Sequence, residues 1–217
     1  MRSPDRIESA KGQSILNHPL TYDDFKWMPA SSFASKAPDI PNTPGVYLLL
    51  IRNGEAIVDE VGYRSLGGAA VWSRAGWAHL YTGCSSTLRV RIKRHLHSDA
   101  RQSTFRQTLL ALNDYSDALN AIGVPFDLER PSEVVLTEWL KNHCLIGFAE
   151  VADETQAEGE FLRRTASPLN IVGRSRSPFA SRLVAIRNHV ALREAATAYD
   201  ERYGLSDPHT DTEYTAN

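Results

Sequence analysis

The chain has 217 residues, a formal net charge of −2, 42% hydrophobic and 23% charged residues. That is enough apolar material for one core and too much for wholesale disorder. No apolar run approaches the ~18 residues of a membrane span, the N-terminal MRSPDRIESAKGQ lacks the apolar stretch of a secretory signal, and Cys84 and Cys144 make neither a disulfide framework nor a zinc knuckle. These features predict a cytoplasmic protein with no membrane partner.

In chain order, residues 1–38 read as an N-terminal extension. In it, Leu16, Leu20, Phe25, Trp27, Met28 and Phe33 cover an edge of the core, and Thr21 caps a short helix, TYDDFKW. PDIPNTPG breaks structure and releases GVYLLLI, an apolar run bounded by Pro and Gly that predicts a central strand. Asn53-Gly54 signals a hairpin leading into a second strand, AIVDEV. The glycine-rich residues 62–77 read as a loop, and Ala78 to Thr82 as a short strand. Ser85 or Ser86 then caps a helix whose buried stripe is Leu88, Ile92 and Leu96.

A second helix begins near Ser103, with Phe105, Leu109 and Leu112 as its apolar line. Residues 113–133 read as irregular, with Gly123-Val124-Pro125 as a breaker. Thr137 is expected to cap a short helix, TEWLKNH, before the strand CLIGFAEV. Asp153 followed by Gln156 resembles a capping box, opening a helix to about Ala166. Ser177-Pro178 predicts the start of a long helix to about Ala198, and 204–217 is a polar tail. The expected fold is α+β: a small, mainly antiparallel central sheet flanked by helices, with a main domain over 39–172 and a helical extension over 173–203.

Charge is polarised along the chain. Between Cys84 and Arg106 stand Arg89, Arg91, Lys93, Arg94, Arg101 and Arg106 against the single acid Asp99. A second basic cluster holds Arg163, Arg164, Arg174, Arg176, Arg182 and Arg187. Local charge of this kind suits a polyanion, whatever the overall sum; basic helices are also simply soluble helices.

Three strings occur in order: Gly45-Val46-Tyr47, Tyr81-Thr82-Gly83, and Arg91 ten residues after Tyr81. Glu158 follows on a later helix, and Asn170 comes twelve residues after it. Together these resemble the GIY-YIG nuclease superfamily over about Asn42 to Val172. The strings STFRQTLLAL and LTEWLKNH are similar to a bacterial subgroup of stand-alone proteins with this domain. The resemblance implies an endonuclease hydrolysing phosphodiester bonds in DNA. In that scheme Tyr47 and Tyr81 position or deprotonate the attacking water, Arg91 holds the phosphate, Glu158 holds a divalent ion and Asn170 supports the site.

The residues themselves are suited to that work. Arg91 presents a guanidinium fork to a phosphate, and His95, one helical turn on, reaches the same cleft. A lone carboxylate such as Glu158 suits Mg²⁺ or Mn²⁺, which keep most of their waters. A phenol is a poor base near neutral pH, so His95 and Lys93 stand as alternative bases. Arg89, Lys93, Arg106, Arg174 and Arg176 are expected to guide the nucleic-acid backbone.

The sequence departs from the family in the 34-position offset between Tyr47 and Tyr81, with an insertion over about 59–77, and in Thr82, where a hydroxyl replaces a methyl. Cys84 reads as small polar filler and His79 as incidental. Trp72 and Trp77 either stack on bases or pack back on the domain. Two other readings stand beside the nuclease: a non-catalytic nucleic-acid-binding module that keeps the fold, and an interaction protein in which these residues merely pack. The sequence does not assign an oligomeric state.

Overall fold

The structure, a computed structural model, describes residues 6–8, 14–16, 18–60, 63, 70–97, 100–115, 133–171 and 180–188. At its centre is β4 (Gly45–Arg52), an aliphatic run buried along both faces except at Arg52. It pairs antiparallel with β6 (Trp77–Ser85) on one side and β7 (Cys144–Glu150) on the other. β3 (Lys26–Pro29) extends the sheet beyond β7, and the two-residue β5 (Ser73–Arg74) beyond β6. All pairs in this five-stranded sheet, ordered β3-β7-β4-β6-β5, are antiparallel. β1 (Arg6–Glu8) and β2 (Ser14–Leu16) form a separate ladder. The expected α+β architecture is the one observed.

Side chains alternate across the sheet. Tyr47, Leu49 and Ile51 face a large core. That core is built by α3 (Leu88–His97), α4 (Thr104–Tyr115), α5 (Glu133–His143) and α7 (180–188). Leu88, Ile92 and Leu96 of α3 are completely buried, as their spacing predicts; each contributes about 1.5–3 kcal/mol by leaving water. Val46, Leu48 and Leu50 face the other way, onto Leu20, Phe25 and Phe161 of α6 (Glu154–Arg164). Asp153 caps α6 by accepting from the Gln156 amide at 2.9 Å, although the Gln156 side chain bonds Glu160 and not the cap.

Four expected elements differ. AIVDEV is the helix α2 (Gly54–Glu60), not a strand. Asn53 takes the left-handed conformation at φ 55°, but its N–H donates to Gly76 O beside the Arg52–Trp77 pair, closing the end of the β4–β6 ladder and not a tight two-residue hairpin. Ile57 and Val58 are both buried, which adjacent positions achieve on a helix and not on a strand with one solvated face. TYDDFKW is only a 3₁₀ turn over Tyr22–Asp24, capped by Thr21 as expected, before the chain enters β3.

Thr137 is not a cap: α5 starts at Glu133, and the Thr137 hydroxyl donates back to Glu133 O one turn behind it. The loop over 62–77 contains β5 and the tight turn Ala75-Gly76, with Gly76 at φ 79°. α1 (Phe33–Lys36) is a single turn whose Phe33 joins the core. The proposed breaker Gly123-Val124-Pro125, the cap Ser177-Pro178, the helix beyond 188 and the tail lie outside the described residues, as does the side chain of Leu16.

Candidate active site

Tyr47 and Tyr81 come from neighbouring strands and share one face, with ring centroids 6.3 Å apart. The β4–β6 register shifts between Leu49 and Leu50, so Leu80 has no partner across the ladder. Leu80 and Tyr81 both enter the core beneath the sheet at this bulge. Gly83 lies opposite Tyr47 in the register, and a Cβ there would overlap the Tyr47 ring and hydroxyl. The second motif therefore needs glycine for close approach; the backbone does not take a positive φ there. Tyr47 is 1% exposed, whereas Tyr81, at 8%, reaches the rim and bonds Thr104 Oγ1 at 3.2 Å.

Arg91 and His95 stand one turn apart on α3. The Arg91 guanidinium lies within hydrogen-bonding and electrostatic reach of both phenols, and it donates to Gln102 O. His95 is fully buried, with Nε2 2.6 Å from Tyr47 Oη and Nδ1 2.7 Å from Ser103 Oγ. Burial first, and then the charges of Arg91 and Arg106, push its pKa down to about 3, so the ring is neutral near pH ~7. Burial, and next the neighbouring Tyr81, hold the Tyr47 phenol well above its ordinary value. Arg91 pulls the other way.

Glu158 projects from α6 on the opposite side of the sheet, yet it interacts electrostatically with Arg91 and with Tyr47. The two charges therefore lie within electrostatic reach of each other. Burial raises its carboxyl; the Cys84 thiol, donating at 3.1 Å, and Arg91 partly offset this. Cys84 is thus more than filler: it holds one carboxylate oxygen, and burial with Glu158 beside it pushes the thiol itself up to about 12. Asn170 grips the backbone of Thr82, accepting from its N–H at 2.8 Å and donating to its C=O at 2.7 Å. Its side-chain hydrogen bonds go to neither phenol; they fix the residue between Tyr81 and Gly83. The Thr82 hydroxyl contacts His79 and Ser167 in a buried network that reaches Tyr22, so His79 is a structural member of the site wall.

A sequence model of the GIY-YIG catalytic domain matches residues 45–189, more than half of the chain. The chain belongs to the GIY-YIG family. It is a nuclease family, and membership implies a nucleic-acid substrate. No curated protein and no solved structure matched the chain.

The expected backbone-guiding residues of this GIY-YIG domain separate sharply. Lys93 is exposed. Arg89 is half-buried and donates to Ile40 O and Pro38 O, which ties α3 to the segment before β4. Arg106 is 0% exposed and is removed from the set. Its guanidinium donates to the His95 and Leu96 carbonyls at the end of α3 and to Glu133 at the start of α5. A cation belongs at a helix C-terminus, and this one joins three helices. Arg174 and Arg176 lie outside the described residues.

Arg187 is legible in the sequence only as part of a basic cluster. On α7 it bonds Gln107, and its charge reaches Tyr81. Trp72 stacks on Tyr22 at 4.1 Å and against Trp27 at 6.0 Å, so it packs on the domain. Trp77 lies under Arg52. Among the described residues no three His, Cys, Asp or Glu side chains gather to cage a metal, and no helix is long and apolar enough to cross a membrane.

Proposed function

We propose that this protein is a metal-dependent endonuclease that hydrolyses phosphodiester bonds in DNA, acting in the cytoplasm. The observation that carries the reading is the placement of Arg91 within electrostatic reach of Tyr47, Tyr81 and Glu158, with the two phenol rings 6.3 Å apart, four groups delivered by four separate elements. A core built only for packing has no need to hold a guanidinium between two phenols and a half-buried carboxylate.

A single carboxylate, with one oxygen held by a thiol and the other available, fits a hydrated hard ion better than a caged one. Glu158 would hold Mg²⁺ or Mn²⁺, which when bound supplies positive charge to a phosphate oxygen. Arg91 offers parallel donors to the same phosphate. Tyr81, at the rim, orients the attacking water. Tyr47, buried behind it, is fixed by His95 and gives up its proton only as positive charge accumulates nearby, because burial opposes the phenolate. Asn170 supports the strand between the phenols and takes no proton.

The test is nicking of supercoiled plasmid with Mg²⁺, with Mn²⁺ and with chelator, for the wild type, Glu158→Ala and Arg91→Ala. The proposal expects metal-dependent nicking, abolished by Glu158→Ala and lowered about 10²- to 10³-fold by Arg91→Ala, with both variants folded. Salt-sensitive DNA binding that ignores both chelator and Glu158→Ala, with no cutting, would replace it with a non-catalytic binding module.

A further inference from the structure

Thr104 and Gln107 lie three residues apart on α4, and so on one face of that helix. Thr104 Oγ1 meets the Tyr81 hydroxyl at 3.2 Å, and Gln107 Oε1 accepts from the Arg187 guanidinium. α7 comes to this place because Leu183 and Ile186 sink into the core that also holds Tyr81, Phe105 and Leu109. Arg187, the residue after Ile186, is thereby left beside the Tyr81 rim. We propose that Arg187 binds a phosphate of the DNA backbone next to the one held by Arg91, so that the polynucleotide crosses the site from Arg91 over Tyr81 to α7. This assignment rests on the endonuclease reading for its substrate, and on how the guanidinium is partnered for its content.

The arginines around the site differ in what they hold. Arg106 directs its donors to Glu133, Thr137 and two backbone carbonyls of α3. Arg89 directs its own to the Ile40 and Pro38 carbonyls. Arg187 gives Nη2 to one neutral amide oxygen, and among the described residues its side chain meets no second acceptor and no carboxylate. A guanidinium has five N–H donors, and this one is half-buried, so burial already works against its charge. A partly desolvated cation left without an anion costs the free protein stability. Its planar fork matches two phosphate oxygens. Gln107 steadies that fork without neutralising it.

Tyr81 sets where that phosphate lies. Among the described residues it is the one titratable group that acts on Arg187, and it acts on Arg91 as well. Arg91 also interacts with Tyr47 and Glu158, whereas Arg187 interacts with neither. Tyr81 is thus the residue the two arginines share, and the carboxylate is on the Arg91 side of it. The two forks therefore serve two phosphates, the second on the side of Tyr81 away from Glu158.

The experiment is binding of a fluorescent DNA duplex by the full chain in chelator at several salt concentrations, for the wild type, Arg187→Met and Arg187→Lys. Urea melts and plasmid-nicking kinetics stand beside it. Methionine keeps an apolar stem and removes the charge. Arg187→Met should lower the slope of log Kobs against log salt by ~0.9, and in nicking should raise KM more than it lowers kcat. Arg187→Lys should restore the slope yet bind more weakly than the wild type, because an ammonium is no fork. An unchanged slope in folded Arg187→Met overturns the proposal and leaves Arg187 as a tie between α7 and α4. In the wild type the ¹⁵N signal of Arg187 Nε should shift when the duplex is added. A signal that stays still while DNA is bound overturns the proposal whether or not the variants fold. A protein that shows both the slope change and the shift, yet nicks no plasmid with Mg²⁺ or Mn²⁺, supports the phosphate site and overturns the endonuclease reading alone.

Discussion

Tyr47 Oη stands 2.6 Å from His95 Nε2, and the imidazole that makes this contact is held uncharged by burial and by two arginines. The pair joins the central strand to α3 at the deepest point of the site.

Acid should therefore weaken the fold through His95. The unfolded chain takes up a proton on this residue near pH ~6.5, whereas the folded chain refuses it until about pH 3. Between those values the unfolded state binds more protons, so stability falls as pH falls. The contribution is complete above the unfolded value and is lost downwards through this window, by on the order of a few kcal/mol. Urea midpoints at pH ~7 and ~4 should show the loss in the wild type and a smaller one in His95→Gln. Equal slopes in the two proteins would contradict the burial argument.

Two basic residues that the sequence treats alike should behave oppositely. Lys93→Ala should lower the salt dependence of DNA binding by ~0.7–0.9 of a counterion with no change in melting. Arg106→Ala should leave the slope alone and destabilise by about 1–3 kcal/mol for each α3 carbonyl left without its buried donor, while the half-exposed Glu133 regains water. Binding isotherms at several salt concentrations, with urea titrations beside them, separate the two.

Gly83→Ala should displace the Tyr47 ring. Overpacking of this kind costs about 1–3 kcal/mol, and nicking should fall even at temperatures where the variant is fully folded. Tyr47→Phe is the companion: it keeps the ring volume, so its melting point should change less than that of Gly83→Ala while its nicking falls as far or further.

Asn170→Ala should release the outer edge of β6. Two buried bonds to Thr82 disappear, costing about 1–3 kcal/mol for each group left unsatisfied. Amide exchange at Thr82 should accelerate, and activity should drop with DNA affinity kept. An unchanged Thr82 exchange rate would refute the positioning role.

Elements with one dominant local signal are legible in the sequence. β4 is apolar throughout and bounded by Pro and Gly, and α3 carries an unbroken four-residue stripe; both appear where expected. α2 is misread because Asn-Gly marks a turn without fixing whether a strand or a helix comes next, and Ile57-Val58 suit either period. The candidate residues are legible from their spacing; their partners are not. Arg106 looks like a surface cation until Glu133 closes on it from 27 residues away, and Ser103 looks like an ordinary cap until His95 is seen beneath it. Long-range pairing decides both, and no local pattern carries it.

The outer rim of β6 is already occupied from Trp77 to Thr82. Ser73 and Arg74 pair with its first residues, the Leu169 amide takes the Leu80 carbonyl, and one amide side chain engages Thr82 from both poles. A second molecule could not zip its own strand onto this sheet there without first prying Asn170 loose. Self-association along this rim must consequently be built from helices or loops.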